Sequence, residues 1–192
     1  VKSIQKDFPE VILTIDTFRS EVARQAIAEG VSIINDISAG VLDNNMMKVV
    51  GQAQLPYIMM HMRGNPQTMN QKTEYQNLVK EVVDYFHQRI YRAREAGIRD
   101  LIIDPGFGFA KTIRQNFELL GRLADLEVLE VPILVGLSRK SMIWRTLAIT
   151  PEEALNGTTT LNTFALMKGA HIIRVHDVKE GVECVKLLQA LL

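Results

Sequence analysis

The sequence predicts an α/β fold of the TIM (β/α)8-barrel type, incomplete in this chain, and three observations carry that expectation. Short β-branched apolar runs alternate with longer amphipathic stretches, the pattern of parallel strands joined by crossover helices. Six such βα units follow one another in 192 residues with no linker-like or low-complexity stretch between them, so residues 1–192 read as a single domain. Each run also carries polar or charged residues toward its C-terminal end. That suits a barrel, where every strand end rings one mouth, better than an open doubly wound sheet, where ligands gather at one switch point.

Taken in order, the first strand is VILTIDT from Val11, followed by the helical stretch SEVARQAIAEG. The second and third are SIINDIS from Ser32 and PYIMMHM from Pro56, and after the latter comes the long amphipathic stretch EYQNLVKEVVDYFHQRIYRAREAG. LIIDPG from Leu101 is the fourth strand and leads into IRQNFELLGRLADLE. PILVGLS from Pro132 precedes TPEEALNGTTTLNTFALMKG, and HIIRVHD from His171 precedes VKEGVECVKLLQALL. Several helical stretches end in glycine, the residue expected just past a helix C-terminus. Six units do not close an eight-stranded barrel, for which roughly 250 residues are typical. The chain starts at Val1 rather than Met, so the first two units are expected to be missing from its front.

Lysine plus arginine and aspartate plus glutamate both number 22, and no basic cluster stands out. There is no electrostatic footprint for a nucleic acid or an anionic membrane, so any anion must be bound locally. Nor does any stretch approach the roughly 20 apolar residues of a membrane span. The single cysteine, Cys184, excludes an internal disulfide, fits a reducing cytoplasm and is not expected to be a nucleophile.

Side chains alternate along a strand, so parity tells which residues share a face. Arg174 and His176 share one, and two cations at one strand end fit a phosphate or diphosphate. A buried strand arginine could instead be satisfied by a neighbouring acid. LSRKS places Arg139, Lys140 and Ser141 where a helix begins, with Ser141 able to cap it. A Schiff-base role for Lys140, as in aldolase-type barrels, is a further reading.

Asp16, Asn35 and Asp104 end three different strands, and carboxylates and an amide at one mouth suit a ligand that donates N–H groups. A 2-amino-4-oxopyrimidine edge offers two parallel donors that a carboxylate accepts bidentately. On this reading Asp104 grips a heterocycle, Gly106 and Gly108 turn the chain, and Phe107 and Phe109 wall the pocket. The alternative is a turn with Asp104 capping the next helix. Only G-x-G follows the acid, which is a poor dinucleotide motif. His61, His87, His171 and His176 are scattered, so no side-chain metal site is expected. His61 reads as a core histidine satisfied by backbone or as a direct ligand contact, His87 as a surface residue, Met59, Met60 and Met62 as core filling by default, with a methionine facing the mouth able to line a flat ring, and Asp36 as a structural or helix-start acid.

TIDT, IINDIS, MMHMRGNPQTM, LIIDPGFGFAK, VGLSRKSMI and GAHIIRVHDV, in this order, resemble the dihydropteroate synthases over essentially the whole chain. The resemblance implies a barrel that condenses 6-hydroxymethyl-7,8-dihydropterin diphosphate with 4-aminobenzoate and releases pyrophosphate, with Mg2+ as cofactor. It also implies that Asp16, Asn35, Asp104 and Lys140 hydrogen-bond the pterin, Met60 and Phe109 line its pocket, and Arg139 and Ser141 flank the aminobenzoate site. Arg174 would stack on the pterin and reach the diphosphate with His176, making Lys140, Arg174 and His176 the catalytic group. A homodimer packed through late helices is implied as well. The family's opening motif, Asn-Val-Thr-Pro-Asp-Ser-Phe, whose Asn helps to bind the metal, is absent from this sequence, so no metal ligand is expected within the chain. Other readings are the methyltetrahydrofolate-binding domain of a corrinoid methyltransferase and a non-catalytic pterin-binding fragment.

Overall fold

A computed structural model describes residues 1–65, 67, 68 and 71–191. Pro66 and Met69 of the MMHMRGNPQTM stretch, and Leu192 of the last helical stretch, lie outside the described residues. The strands are β1 (Thr14–Asp16), β2 (Ile33–Asp36), β3 (Tyr57–Met60), β4 (Leu101–Asp104), β5 (Leu134–Val135) and β6 (Ile172–Ile173). The α-helices are α1 (Lys2–Asp7), α2 (Ser20–Ala28), α3 (Met46–Ala53), α4 (Leu78–Glu95), α5 (Ile113–Gly121), α6 (Ser141–Leu147), α7 (Leu155–Met167) and α8 (Val178–Gln189).

All neighbouring strands are parallel and run in chain order, β1-β2-β3-β4 and then β5-β6, with an Ile103–Ile133 bridge joining the two groups. A doubly wound sheet needs a reversal of strand order, and none occurs here. Consecutive parallel order is the arrangement of a barrel wall. Among the described residues no pairing joins β6 to β1.

One face of this wall packs on the helices. Ile34, Tyr57, Met59, Leu101, Ile103, Ile133 and Val135 belong to one apolar core with Val82, Phe86, Leu119, Leu123 and Ala165. Each such buried side chain contributes roughly 1.5–3 kcal/mol. Asp36 also points to this side and is fully buried. It accepts from Ser38 N and Oγ, Gly40 N and the Tyr57 hydroxyl, which makes it the structural acid its parity suggests. Burial and the adjacent Asp36 carboxylate push the Tyr57 phenol well above its usual range.

Two short helices, α1 and α3, have no counterpart in the sequence reading, because six to eight residues show too little of the 3.6 period, whereas α6 begins at the helix start expected in LSRKS. The stretch read as one helix over 113–127 divides into α5 and a 3-10 helix, Leu123–Leu129. The stretch that opens at Thr150 becomes helical only at Leu155, after a turn containing Pro151.

Candidate active site

The register decides which polar residues meet. Asp16 pairs with Asn35, Asn35 with Ile58, and Met60, two residues beyond Ile58, with Asp104. Register partners and i,i+2 neighbours share a face, so Asp16, Asn35, Met60 and Asp104 all stand on the side turned away from the helices. Asn35 Nδ2 donates to Asp16 Oδ1. Asn35 Oδ1 is buried without a partner among the described residues, leaving an acceptor for an incoming N–H group.

Asp104 is 1% exposed. Its Oδ1 accepts the Gly106 N–H at 2.8 Å and its Oδ2 accepts from Arg174 Nη2 at 2.8 Å. Each carboxylate oxygen keeps a second lone pair, so bidentate acceptance remains open to a ligand. Gly106 has φ +70°, and a Cβ there would stand 2.1 Å from the His61 carbonyl oxygen, so only glycine fits. Asp104 does not cap the next helix: Thr112 does, in a capping box with Gln115. Phe107 turns into the helix-packed core, which corrects the expectation that both phenylalanines wall the pocket. Strand-like alternation is lost in this turn, so parity no longer places its side chains. Phe109 stays half-buried, with Lys140 Nζ 4.8 Å from its ring centre.

Lys111 is the residue the sequence reading missed. It is buried, and its Nζ donates to Gly106 O at 3.0 Å and Phe109 O at 3.1 Å and lies 3.0 Å from His61 Nδ1. Three donors thus meet three acceptors. Burial lowers its pKa to about 7, against the pull of Asp104. Burial, then Lys111 and Arg63, hold the His61 imidazole well below its usual range, so the neutral ring accepts through Nδ1. His61 is therefore a core histidine, but a side-chain ammonium satisfies its ring where backbone was expected. The only signal was a basic residue just past a glycine-rich, apolar turn.

The cations enter from β5 and β6. Leu134 pairs with Ile172 and Val135 with Ile173, so by continuation Gly136 faces Arg174 and Ser138 faces His176. A Cβ on Gly136 would stand 2.8 Å from Arg174 Nη2, which shows how closely the guanidinium lies over that backbone. The Arg174 side chain is 41% exposed, which corrects the expectation of a buried strand arginine. β6 ends at Ile173, and among the described residues nothing pairs with its far side. Its partner is Asp104, so the neighbouring-acid reading describes its contact. His176 Nδ1 lies 3.1 Å from Ser138 Oγ.

Lys140 has its pKa lowered by burial, with Asp104 opposing. Arg139 adopts φ +52°, and its guanidinium donates to both Asp177 oxygens at 3.1 and 2.7 Å and to the carbonyls of Pro151 and Glu152. It joins loops together. Ser141 begins α6 with Lys140 at the N-cap position and no side-chain cap hydrogen bond forms there, so the cap role considered for Ser141 is not taken up. Among the described residues no three His, Cys, Asp or Glu side chains are placed to hold a metal ion.

Residues 1–176 match the family model described as pterin binding enzyme. The chain is 43% identical over 194 residues to the dihydropteroate synthase of Escherichia coli (strain K12), covering 100% of this chain and 68% of that protein. The crystal structure of dihydropteroate synthase from Stenotrophomonas maltophilia with active site-bound imidazole superposes with TM-score 0.94 at 36% identity, over 99% of this chain and 72% of that one. The Thermus thermophilus enzyme, solved in complex with 6HMPPP and with 4-aminobenzoate, superposes with TM-scores 0.90 and 0.91 at 35% identity in each. Those superpositions cover 94% and 95% of this chain and 72% and 71% of the solved ones.

Proposed function

Because the chain belongs to the pterin binding enzyme family, we propose that it is the transferase its relatives are, a dihydropteroate synthase of folate biosynthesis. The observation that carries this reading is the single face shared by Asp16, Asn35, Met60 and Asp104, with Arg174 reaching Asp104 from two strands away. On that face the carboxylate of Asp104 and the free Oδ1 of Asn35 accept the N–H edge of the pterin. Met60 and Phe109 pack on its ring, while Lys140 adds a donor. Arg174 and His176 take the diphosphate.

In the proposed reaction the carbon–oxygen bond of the pterin's exocyclic methylene breaks as the amine nitrogen of 4-aminobenzoate bonds to that carbon. The bonding pair leaves with pyrophosphate, and the amine gives up a proton. The leaving group carries the developing negative charge, so the residues that lower the barrier are those that meet it. Losing one preorganised contact of this kind costs roughly 3 kcal/mol. Arg139 and Ser141 are assigned to the aminobenzoate side, Arg139 through the loop it braces. Mg2+ would add charge neutralisation to the diphosphate when bound. The described residues do not assemble a ligand set for it, and no step is assigned to it.

A homodimer is also part of the proposal, supported by the exposed Met167 on α7 and Leu187 on α8. A cytoplasmic setting rests on the lone cysteine, and among the described residues no helix is long and apolar enough to cross a membrane. The corrinoid-linked reading is not favoured, since the relatives are dihydropteroate synthases. The test is calorimetric titration of the Asp104→Ala variant with the dihydropterin diphosphate. A charge-assisted bidentate contact is worth roughly 3 kcal/mol, so affinity should fall more than about a hundredfold. Undiminished binding would remove the assignment.

A further inference from the structure

Two side-chain links tie the segment after β5 to the segment after β6, and they involve adjacent residues on both sides. Arg139 grips Asp177, and Ser138 touches His176 twice. The second link has chemical content. The Ser138 hydroxyl oxygen accepts the backbone N–H of His176 at 3.2 Å and lies 3.1 Å from its ring Nδ1. Ser138 is 6% exposed, and its hydroxyl has no other hydrogen-bond partner among the described residues.

A hydroxyl has one proton to donate and two lone pairs. If Nδ1 carried the imidazole proton, Oγ would accept twice and its own buried proton would have no acceptor, which is costly. If Nδ1 is unprotonated, the hydroxyl donates to it and every group is satisfied. From this we infer that Ser138 is a positioning residue that fixes neutral His176 with Nδ1 as acceptor and its proton on Nε2. The ring then offers a donor from the nitrogen that Ser138 does not occupy. An anionic oxygen needs such a donor, and a neutral imidazole of the other tautomer would present it with a lone pair. The value of this arrangement to the reaction rests on the proposed contact of His176 with the diphosphate; the tautomer itself does not.

The test uses the full chain with 15N-labelled histidine and two-dimensional imidazole spectra at a pH where His176 is neutral, its signals assigned by their loss in His176→Gln. The parent should show Nδ1 at an unprotonated shift and Nε2 at a protonated one. Ser138→Ala should move both nitrogens toward the averaged shifts of exchanging tautomers, while Ser138→Thr, which keeps the hydroxyl, should restore the parent pattern. Titration with inorganic pyrophosphate should show roughly tenfold weaker binding for Ser138→Ala and recovery in Ser138→Thr. A parent with its proton on Nδ1, or a Ser138→Ala spectrum identical to the parent, overturns the inference, and the first outcome can be read even where the variant does not fold. If the tautomer shifts as expected but neither protein binds pyrophosphate, the positioning role stands and the proposed diphosphate contact is what fails.

Discussion

Replacing Lys111 with methionine should abolish a pH dependence of stability that the native lysine creates. In the fold its pKa is lowered from 10.5 to about 7, chiefly by burial. An unfolded chain keeps the ordinary lysine value, so between roughly pH 7 and pH 10 the unfolded state binds more protons, and stability must rise with pH. Below that window the ammonium is charged in both states and its burial costs roughly 5 kcal/mol. At pH 9 the folded amine is neutral, and the remaining cost, that of deprotonating the unfolded lysine, is roughly 2 kcal/mol. From pH 7 to pH 9 the native protein should therefore gain about 2 kcal/mol that Lys111→Met does not. Absolute stability at pH 7 is a poor test. Methionine escapes the burial cost but strands Gly106 O, Phe109 O and His61 Nδ1, and each stranded group costs roughly 1–3 kcal/mol. The slope isolates the ionisation. Urea unfolding followed by circular dichroism at pH 7, 8 and 9 measures it. A constant gap between the two proteins across that range would refute the argument.

His61 supplies the acid side of the same profile: its pKa is depressed well below the usual value, so the unfolded chain takes up a proton that the folded chain refuses as pH falls below about 6.5. Native stability should decline through that range, and His61→Gln should flatten the decline in acid titrations of urea midpoints. Gly136→Ala places a Cβ 2.8 Å from Arg174 Nη2, the far end of a flexible side chain. The fold should tolerate it within about 1 kcal/mol while pyrophosphate affinity drops; unchanged affinity would show that Arg174 does not need its seat over Gly136. Tyr57→Phe removes one of four donors to the buried Asp36 carboxylate and should cost about 1.5–3 kcal/mol in urea unfolding without altering pterin affinity.

The strand runs and their polar ends were legible because period and parity act over four or five residues, and all six strands lie within the stretches read from the sequence. What parity could not supply was the loop after β4. Once the chain leaves the strand, Gly106 at φ +70° and Gly108 at φ +83° break the alternation, and Phe107 and Phe109 part company. Lys111 is illegible for a related reason. Its three partners come from a residue five positions earlier, one two positions earlier and a histidine just past β3, and only the folded turn brings them together. Arg139 shows a different limit. A cation in a loop at the mouth invites assignment to a ligand, and the sequence does not reveal that its Nε and Nη2 donate to Asp177, which lies 38 positions along the chain where no short motif connects them.

Zero net charge did not prevent a local field from forming, because chain order sorts the charges. Asp16 and Asp104 come from β1 and β4, whereas Lys140 and Arg174 follow β5 and β6, with Lys111 behind the turn that holds Asp104. Consecutive parallel order turns that sequence separation into spatial separation: acceptors on one arc of the wall and donors on the next, meeting at the Asp104–Arg174 pair. The Asp104 carboxylate at that seam offsets the charge of the Arg174 guanidinium beside it. On the proposed reading the same seam sets orientation, since a molecule with N–H donors at one end and an anion at the other satisfies both arcs in only one direction. By the same reading, a ligand lacking the N–H end would leave the buried Asn35 Oδ1 unpaired, at a cost of roughly 1–3 kcal/mol. On the proposed reading, selectivity on this wall follows from strand order as much as from the identity of any single residue.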